Sequence, residues 1–281
     1  MKWIGRRQSS NVEDRRGVSG KGLMGIGGIG ALVIGLVSWF ITGNPGDFFN
    51  NLMNAGQEQT ITQTPQEQDE MAQFVGVVLA DTEDVWDTLF VAMGKTYVKP
   101  KLVLFTTSVE SACGYAQSAT GPFYCGGDSK VYIDLDFLVE LQNRLGAQGD
   151  FAQAYIIAHE VGHHVQNLLG TLDKVHNMQS NLSEEEYNAV SVRLELQADF
   201  LAGVWAHHAQ KMKSIMESGD LEEAINAAGA VGDDRIMMKN QGYVVPDSFT
   251  HGTSEQRTRW FRKGFETGDI RQGDTFNAKS L

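Results

Sequence analysis

The sequence predicts an α+β fold, mostly helical with a small sheet, preceded by one transmembrane helix. Three observations lead to this prediction. Several long segments have apolar residues at spacings of three and four, two short segments read as strands, and one uncharged run is long enough to cross a bilayer. The composition, with 42% hydrophobic and 21% charged residues, excludes a disordered chain, a collagen-like fibre and a small disulfide scaffold.

The first 42 residues predict a membrane anchor. Residues 1–21 form a basic tail with a net charge of +4, which leaves −16 on the remaining 260 residues. Residues 22–42 contain no charged side chain, and as a helix they would be about 30 Å long. A cleaved signal peptide is the alternative. However, the run exceeds the usual apolar core of roughly 7–15 residues, and no A-x-A-like cleavage site follows it.

The charge difference predicts the orientation of that anchor. Basic residues beside a span favour the cytoplasmic side, so residues 1–21 would be cytoplasmic and residues 43–281 periplasmic or extracellular. The sequence thus predicts a single-pass protein of the inner, or cytoplasmic, membrane, held there by residues 22–42. The acidic remainder lacks the clustered Lys and Arg residues that phosphate contacts need, so no nucleic-acid partner is expected.

Composition divides the rest of the chain into three parts. Residues 43–70 are rich in Gln, Asn, Thr and Gly, which bury little apolar surface, and they are predicted to be a polar linker. Residues 71–267 have the periodic apolar pattern of one folded domain. Residues 268–281 are predicted to be a polar, loosely ordered C-terminal tail.

The elements of the domain follow from their apolar periodicity and from helix-start signals. Ser183 and Glu186 form a capping box, in which the two side chains accept hydrogen bonds from each other's backbone N–H groups. A second capping box pairs Thr253 with Gln256. The predicted order is a helix over 71–93, strands over 101–107 and 130–135, and helices over 137–145, over 150–169, after 183, from 220 and after 253.

Two cysteines, Cys113 and Cys125, lie in the loop between the predicted strands. A disulfide between them would close a loop of about a dozen residues and add roughly 3 kcal/mol to the stability. Because the predicted location is outside the reducing cytoplasm, we favour the disulfide over two buried free thiols. A metal-binding pair is disfavoured, since zinc hairpins need tighter spacing and further ligands.

Residues 159–163, in the middle of the predicted 150–169 helix, read His-Glu-Val-Gly-His. Side chains four apart share a helix face, so His159 and His163 can reach one ion, and neutral imidazole suits Zn²⁺. Glu160 lies about 100° further round the helix, where it can take a proton from zinc-bound water. The alternative is a surface helix with two solvated histidines, but the flanking sequence is too apolar for an exposed helix.

A catalytic zinc ion needs a third protein ligand and an open position. Glu195 and Asp199 are four apart on the helix after Ser183, and two acids at that spacing repel each other unless a cation or hydrogen-bond donors offset them. Glu195 as a ligand, with Asp199 accepting a histidine N–H, satisfies both. His207 and His208 compete for the ligand role but lie roughly 18–20 Å further along a continuous helix. An exposed amphipathic helix remains the alternative.

These motifs resemble those of a known family. H-E-x-x-H followed by E-x-x-x-D on a later helix is similar to the arrangement in the gluzincins, the thermolysin-like enzymes. The chain resembles more closely, and over nearly its whole length, the bacterial neutral zinc metallopeptidase family. The segments that carry this resemblance are the basic head, the Gly-rich run, the CGYA…GPFYC loop, VYID, HEVGHHVQ, ELQADFLAGVWAHH and HGTSEQR. Gly126 departs from the pattern, since proline is expected there in relatives.

The resemblance implies a zincin-like metalloprotease domain with one catalytic Zn²⁺ ion. By that resemblance His159, His163 and Glu195 are its ligands, and Glu160 is the base. We therefore expect a membrane-anchored zinc metalloendopeptidase that hydrolyses peptide bonds in extracytoplasmic peptides or proteins. The alternative is a zinc-stabilised, membrane-tethered binding or scaffold protein with little or no turnover, although a purely structural site has no use for Glu160.

Two further residues gain roles from the resemblance. His251 would stabilise the oxyanion, and Arg257 would hold Glu195 or the substrate. The alternatives are a helix-start histidine and a surface arginine. Separately, the strand over 132–134 would be an edge on which an extended peptide adds, or else a plain core strand.

Overall fold

In this protein, helices pack on one face of a four-stranded sheet. The structure is a computed structural model, and it describes residues 1–16, 64–117, 121–139 and 149–281. The strands are β1 (Val12–Asp14), β2 (Lys101–Phe105), β3 (Ser108–Ser111), β4 (Gly114–Gln117), β5 (Phe123–Cys125) and β6 (Lys130–Asp134). The helices are α1 (Pro65–Ala92), α2 (Asp150–Leu168), α3 (Thr171–Met178), α4 (Glu184–Lys213), α5 (Asp220–Ala230), α6 (Asp233–Gln241) and α7 (Ser254–Thr267), and residues 135–139 are also helical.

The four-stranded sheet has the strand order β1-β2-β6-β5. β2 pairs in parallel with β1 on one side and with β6 on the other, so that Leu102 lies opposite both Val12 and Val131. β5 completes the sheet as the antiparallel neighbour of β6. The strand over 132–134, predicted as a possible peptide-binding edge, is therefore an inner strand, and β5 is the edge beside it.

Each face of the sheet contributes to its own apolar cluster. Leu104 and Ile133 belong to the main core, which they share with the helices. Val103 and Tyr132, on the opposite face, pack with Val109 of the β3–β4 hairpin. Because both faces are covered, the inner strands are apolar at nearly every position instead of alternating with polar residues.

The first 16 residues are part of the folded domain. β1 is hydrogen-bonded in parallel to β2 over its three residues. Arg6 forms an ion pair with the buried Asp81 of α1 at 2.6 Å, and Arg7 forms one with Asp84 at 2.6 Å. The predicted topology, with the basic head on one side of a bilayer and the domain on the other, is wrong, because a strand that pairs with β2 lies on the same side as the sheet.

The predicted transmembrane helix over residues 22–42 lies outside the described residues. Within the four described ranges, none of the helices is both long enough and apolar enough to cross a membrane. The fold class is accordingly corrected, for the described residues, to a mostly helical domain with a small sheet, and the predicted transmembrane helix is not supported. The predicted single-pass localisation in the inner membrane is contradicted by the same finding and by the pairing of β1 with β2.

The C-terminal residues are bound to α4 and are not loosely ordered as their composition suggested. Arg193 donates hydrogen bonds to the backbone carbonyls of Thr275, Phe276 and Ala278. The hydroxyl of Thr275, a fully buried residue, donates in return to the Arg193 carbonyl at 2.6 Å. One half-buried arginine therefore satisfies three backbone carbonyls of the C-terminal segment.

The predicted disulfide between Cys113 and Cys125 is present. It joins the turn of the β3–β4 hairpin to the end of β5, with Cα atoms 5.8 Å apart. This covalent link ties the hairpin to the edge strand β5.

α4 and α7 touch backbone to backbone because each has a glycine at the crossing. A Cβ atom on Gly203 of α4 would lie 2.1 Å from the carbonyl oxygen of Phe261, and one on Gly264 of α7 would lie 2.0 Å from that of Phe200. No side chain fits between the two backbones. The crossing therefore sets the depth at which α7 packs, and with it the position of Arg257 near the start of that helix.

We expect the substitution Gly203→Ala to destabilise the protein, because the new methyl group forces α4 and α7 apart. The expected loss is about 3 kcal/mol, or a fall in Tm of at least about 6 °C. Gly229→Ala in α5 is the matched control, since its methyl group would meet only the Thr258 methyl at 3.2 Å. Thermal unfolding measures both variants, and equal melting temperatures for the two would contradict the proposed role of the crossing.

Candidate metal centre

α2 places the H-E-x-x-H segment inside the protein. The helix is buried around most of its circumference, and residues such as Phe151, Ile157 and Val165 have no exposed surface. His159 is 6% exposed and Glu160 is 7% exposed. A surface helix with solvated histidines is therefore excluded, and these polar groups need partners inside the fold.

A glycine on α2 lets this helix approach α4. A Cβ atom on Gly162 would lie 3.0 Å from the carbonyl oxygen of Ala198. Gly162 lies between the two histidines of α2, and Ala198 lies between the two acidic residues Glu195 and Asp199 of α4. The close contact thus brings two imidazoles and two carboxylates together.

Three side chains converge on one point between α2 and α4. The Nε2 atom of His159 lies 3.2 Å from Oε2 of Glu195, and Nε2 of His163 lies 3.4 Å from Oε1 of the same carboxylate. One ligand atom from each of the three residues lies within 4.8 Å of the others. A tetrahedral zinc ion with bonds of about 2.0–2.1 Å separates its ligand atoms by roughly 3.3 Å. The donor set and its spacing therefore fit zinc.

Asp199 supports His159 from the side opposite Glu195. Its Oδ1 atom accepts hydrogen bonds from Nδ1 of His159 at 2.8 Å and from the Tyr155 hydroxyl at 2.5 Å. Arg257 donates through Nε to Oδ2 at 2.8 Å and through Nη2 to Oδ1 at 3.0 Å. Asp199 has no exposed surface, so this bidentate ion pair stabilises a charge that burial alone would make costly.

Gln166 supports His163 in the same way, with an amide in place of a carboxylate. Its Oε1 atom lies 2.9 Å from Nδ1 of His163. Neither Gln166 nor Tyr155 is among the residues that sequence analysis selected. Gln166 lies three residues after His163, and Tyr155 lies four residues before His159, so each shares a helix face with its histidine. That spacing is the sequence signal that could have identified them.

The electrostatics of the site favour a cation between α2 and α4. Burial lowers the pKa of His159, but the carboxylates of Asp199 and Glu195 outweigh it and raise that pKa to about 10. Burial raises the pKa of Glu195, yet the charges of His163 and His251 bring it well below its usual value. The site thus attracts positive charge, which a proton or a metal ion supplies.

Arg257 is buried beside Asp199 and reaches Glu195 only through other residues. It donates to Asp199, to the Val231 carbonyl and, at 3.3 Å, to the Tyr155 hydroxyl, and its Nη2 atom lies 3.4 Å from Nδ1 of His159. The surface-arginine alternative is excluded, since Arg257 is 3% exposed.

His251 lies at the rim of the cleft that opens onto the three converging side chains. The cleft has a volume of about 420 Å³ and is also lined by Tyr124 of the edge strand and by Ile156 of α2. Asp233 holds the segment around His251, because its Oδ2 atom accepts the backbone N–H groups of residues 250–252 at 2.6–2.9 Å. Its Oδ1 atom lies 3.3 Å from Nδ1 of His251.

The other histidines considered as ligands lie elsewhere. His207 donates to the carbonyl of Phe265 at 2.7 Å, and His208 donates to the carbonyl of Gly268 at 2.8 Å. Both bonds satisfy carbonyls at the C-terminal end of α7, which have no partner within that helix. These two histidines connect α4 to α7 and take no part in the metal centre.

Comparison with known proteins agrees with the resemblance inferred from the motifs. A family model described as "Putative neutral zinc metallopeptidase" matches residues 1–276. The chain is 50% identical to the protein YpfJ of Escherichia coli K12 over 285 residues, which cover 98% of this chain and 99% of YpfJ. It is 39% identical to Rv2575 of Mycobacterium tuberculosis H37Rv over 218 residues, 74% of this chain and 73% of that protein. No solved structure matches the chain at a significant level.

The matched family implies zinc as the cofactor. This confirms the cofactor that the sequence predicted. It also agrees with the geometry, since two imidazoles and one carboxylate with the observed spacing are a donor set that zinc uses in hydrolytic enzymes.

We expect Asp199→Asn to lower the affinity for zinc by about 10- to 100-fold, because the carboxylate that orients His159 and balances Arg257 is lost. Competition with a chromogenic chelator measures the change. Asp173→Asn, at an exposed position of α3, is the control and should leave the affinity unchanged. An Asp199→Asn variant that binds zinc as tightly as the wild type would contradict the role given to this carboxylate.

Proposed function

Because the chain belongs to the neutral zinc metallopeptidase family, we propose that it hydrolyses peptide bonds in peptide or protein substrates, with His159, His163 and Glu195 as zinc ligands and Glu160 as the general base. One observation carries the proposal. The three ligand side chains meet within 4.8 Å of one another and line, together with the buried Glu160, a cleft that is open to substrate.

Zinc held by these residues supplies a Lewis acid, which lowers the pKa of water and polarises a substrate carbonyl. Glu160 is the residue that moves the proton. It follows His159 directly on α2 and lines the same cleft without being one of the three converging side chains. Burial raises the pKa of its carboxyl, which makes it a stronger base than an exposed glutamate. Glu160 takes the proton of the attacking water and then delivers it to the leaving amine.

His251 is the proposed donor to the substrate carbonyl oxygen. Its Nδ1 atom faces Asp233 and Thr250, so the other ring nitrogen is available to the cleft. Burial lowers the pKa of His251, but the carboxylates of Glu195 and Asp233 raise it above its usual value. A protonated ring would donate a hydrogen bond to the substrate oxygen on which negative charge develops in the transition state.

Arg257 acts in this proposal through Asp199 and not on the substrate. Its guanidinium donates twice to Asp199, which in turn accepts from His159. Arg257 is therefore a positioning residue for one of the proposed ligands. This role replaces the earlier expectation that it holds Glu195 or the substrate.

The edge strand β5 supports the binding of an extended substrate. In the sheet that the described residues form, β5 has β6 as its strand neighbour on one side, and Phe123 and Tyr124 of β5 line the cleft. A peptide that adds to the open side of β5 would make regular backbone hydrogen bonds. Such bonds hold the main chain in register whatever its side chains are, which suits a peptidase.

We expect Glu160→Gln to reduce peptide hydrolysis by at least about 100-fold while zinc remains bound, because the amide keeps the shape of the side chain but cannot accept the proton. Hydrolysis of a casein or quenched-peptide substrate and the metal content of the purified protein are the two measurements. Glu185→Gln, at an exposed position of α4, is the matched control. Undiminished hydrolysis by the Glu160→Gln variant would refute the mechanism.

Removal of zinc separates the proposed peptidase from a zinc-stabilised binding or scaffold protein. We expect chelation of the full chain to abolish hydrolysis and to leave a cooperative, though lowered, thermal transition, because the core around Trp86, Phe151 and Trp205 does not include the metal ligands. Restored zinc should restore hydrolysis. A chain that unfolds at room temperature on chelation and never hydrolyses peptides would instead support the scaffold.

A further inference from the structure

The amide of Gln166 connects two of the three proposed zinc ligands. Its Oε1 atom lies 2.9 Å from Nδ1 of His163, and its Nε2 atom donates to the backbone carbonyl of Leu194 at 2.7 Å. Leu194 directly precedes Glu195 on α4. Gln166 has no exposed surface, so water does not compete for these hydrogen bonds.

We propose that Gln166 is a positioning residue that fixes His163 as the tautomer with its proton on Nδ1 and holds it in register with Glu195. The proposal rests on the zinc site proposed above. It adds a residue that acts on the ligands before any metal arrives.

The orientation of the amide follows from its partners on α4. A backbone carbonyl oxygen accepts hydrogen bonds and cannot donate, so the group that faces Leu194 must be the NH₂ end of Gln166. A second acceptor, Oε1 of Gln197, lies 3.2 Å from the same nitrogen. The opposite end of the amide, which faces His163, is therefore its carbonyl oxygen.

The orientation of the amide decides the tautomer of His163. A carbonyl oxygen accepts only, so the hydrogen in the bond between Gln166 and His163 must be on Nδ1 of the ring. A neutral imidazole has one ring proton, which leaves the lone pair on Nε2. That nitrogen is the atom 3.4 Å from Oε1 of Glu195, the position from which it would bind zinc.

The same hydrogen bonds couple the histidine to α4. Because Gln166 is bonded both to His163 and to the backbone at Leu194, a shift of α4 relative to α2 would move the imidazole and Glu195 together. Gln197 extends the connection, since its Nε2 atom donates to the carbonyl of Gly273 at 2.9 Å. The spacing of two ligands is thus set before metal binding.

A glutamate could not replace Gln166 in this role. A carboxylate has no N–H group, so one of its oxygens would face the Leu194 carbonyl oxygen at a distance where the glutamine now donates. It would also add a buried negative charge near Glu195 and Asp199. The amide is the group that accepts from the histidine and donates to the helix without changing the charge of the site.

The test compares two buried glutamines of α2. Gln166→Met keeps the length of the side chain and removes the three hydrogen bonds of its amide, to His163, Leu194 and Gln197. Gln153→Met makes the same substitution at a position that is 3% exposed and outside the network around the ligands. Competition with a chromogenic chelator measures the zinc affinity of each full-length variant. We expect the affinity to fall by about 10- to 100-fold for Gln166→Met and by less than about twofold for Gln153→Met.

The tautomer itself provides a readout that a merely structural role would not change. Ring ¹⁵N chemical shifts of His163 in the metal-free wild type, at mildly alkaline pH, should show the proton on Nδ1. The same spectrum of Gln166→Met should show a mixture of tautomers. A wild-type spectrum with the proton on Nε2 would overturn the proposal even if the methionine variant did not fold.

The outcomes also separate this proposal from the proposed function. If the wild type binds zinc and Gln166→Met binds it equally well, the role of Gln166 is refuted and the peptidase proposal is untouched. If the wild type binds no zinc or Glu160→Gln remains active, the proposed function fails. The ¹⁵N measurement on the metal-free protein still decides the tautomer in that case.

Discussion

The candidate site depends on one buried carboxylate, Asp199, that is bonded to two other helices at once. It accepts hydrogen bonds from His159 and Tyr155 of α2 and forms a bidentate ion pair with Arg257 of α7. A buried charge of this kind is tolerated only while all its partners are in place. The relative positions of α2, α4 and α7 are therefore a condition for the site as well as for the core.

Glycines make this arrangement possible. Gly162 allows α2 to lie against α4, and Gly203 and Gly264 allow α7 to lie against the same helix further along. The side chains that lie between the helices near Gly162 are the ones that the proposed chemistry requires, with Glu195 facing both histidines. Asp199 and Gln166 contact the Nδ1 atoms of His159 and His163, and both Nε2 atoms face the Glu195 carboxylate.

The site residues that the sequence predicts are those with a characteristic spacing within one helix. His159, Glu160 and His163 follow from a four-residue interval on α2, and Glu195 with Asp199 from the same interval on α4. The roles of Gln166 and Tyr155 were not predicted, because they depend on the contacts that these side chains make with α4. An amide or a phenol next to the motif does not reveal such contacts in the sequence. The membrane topology predicted for the first 16 residues was wrong for a related reason. An apolar run after a basic segment is typical of an anchor, whereas the parallel pairing of β1 with β2 joins residues that are far apart in sequence.

The sequence by itself determined the H-E-x-x-H helix, the acidic pair of α4, the cysteine pair and the mostly helical class, because each is a local pattern whose physics acts over a few residues. Only the tertiary structure decided that β1 belongs to the sheet, that β5 and not β6 is its edge next to the cleft, and that Arg257 pairs with Asp199. Those choices depend on which surfaces meet when the helices pack. Packing depends on close contacts between helices, such as those at Gly162 and Gly203. The apolar periodicity of the sequence does not predict these contacts.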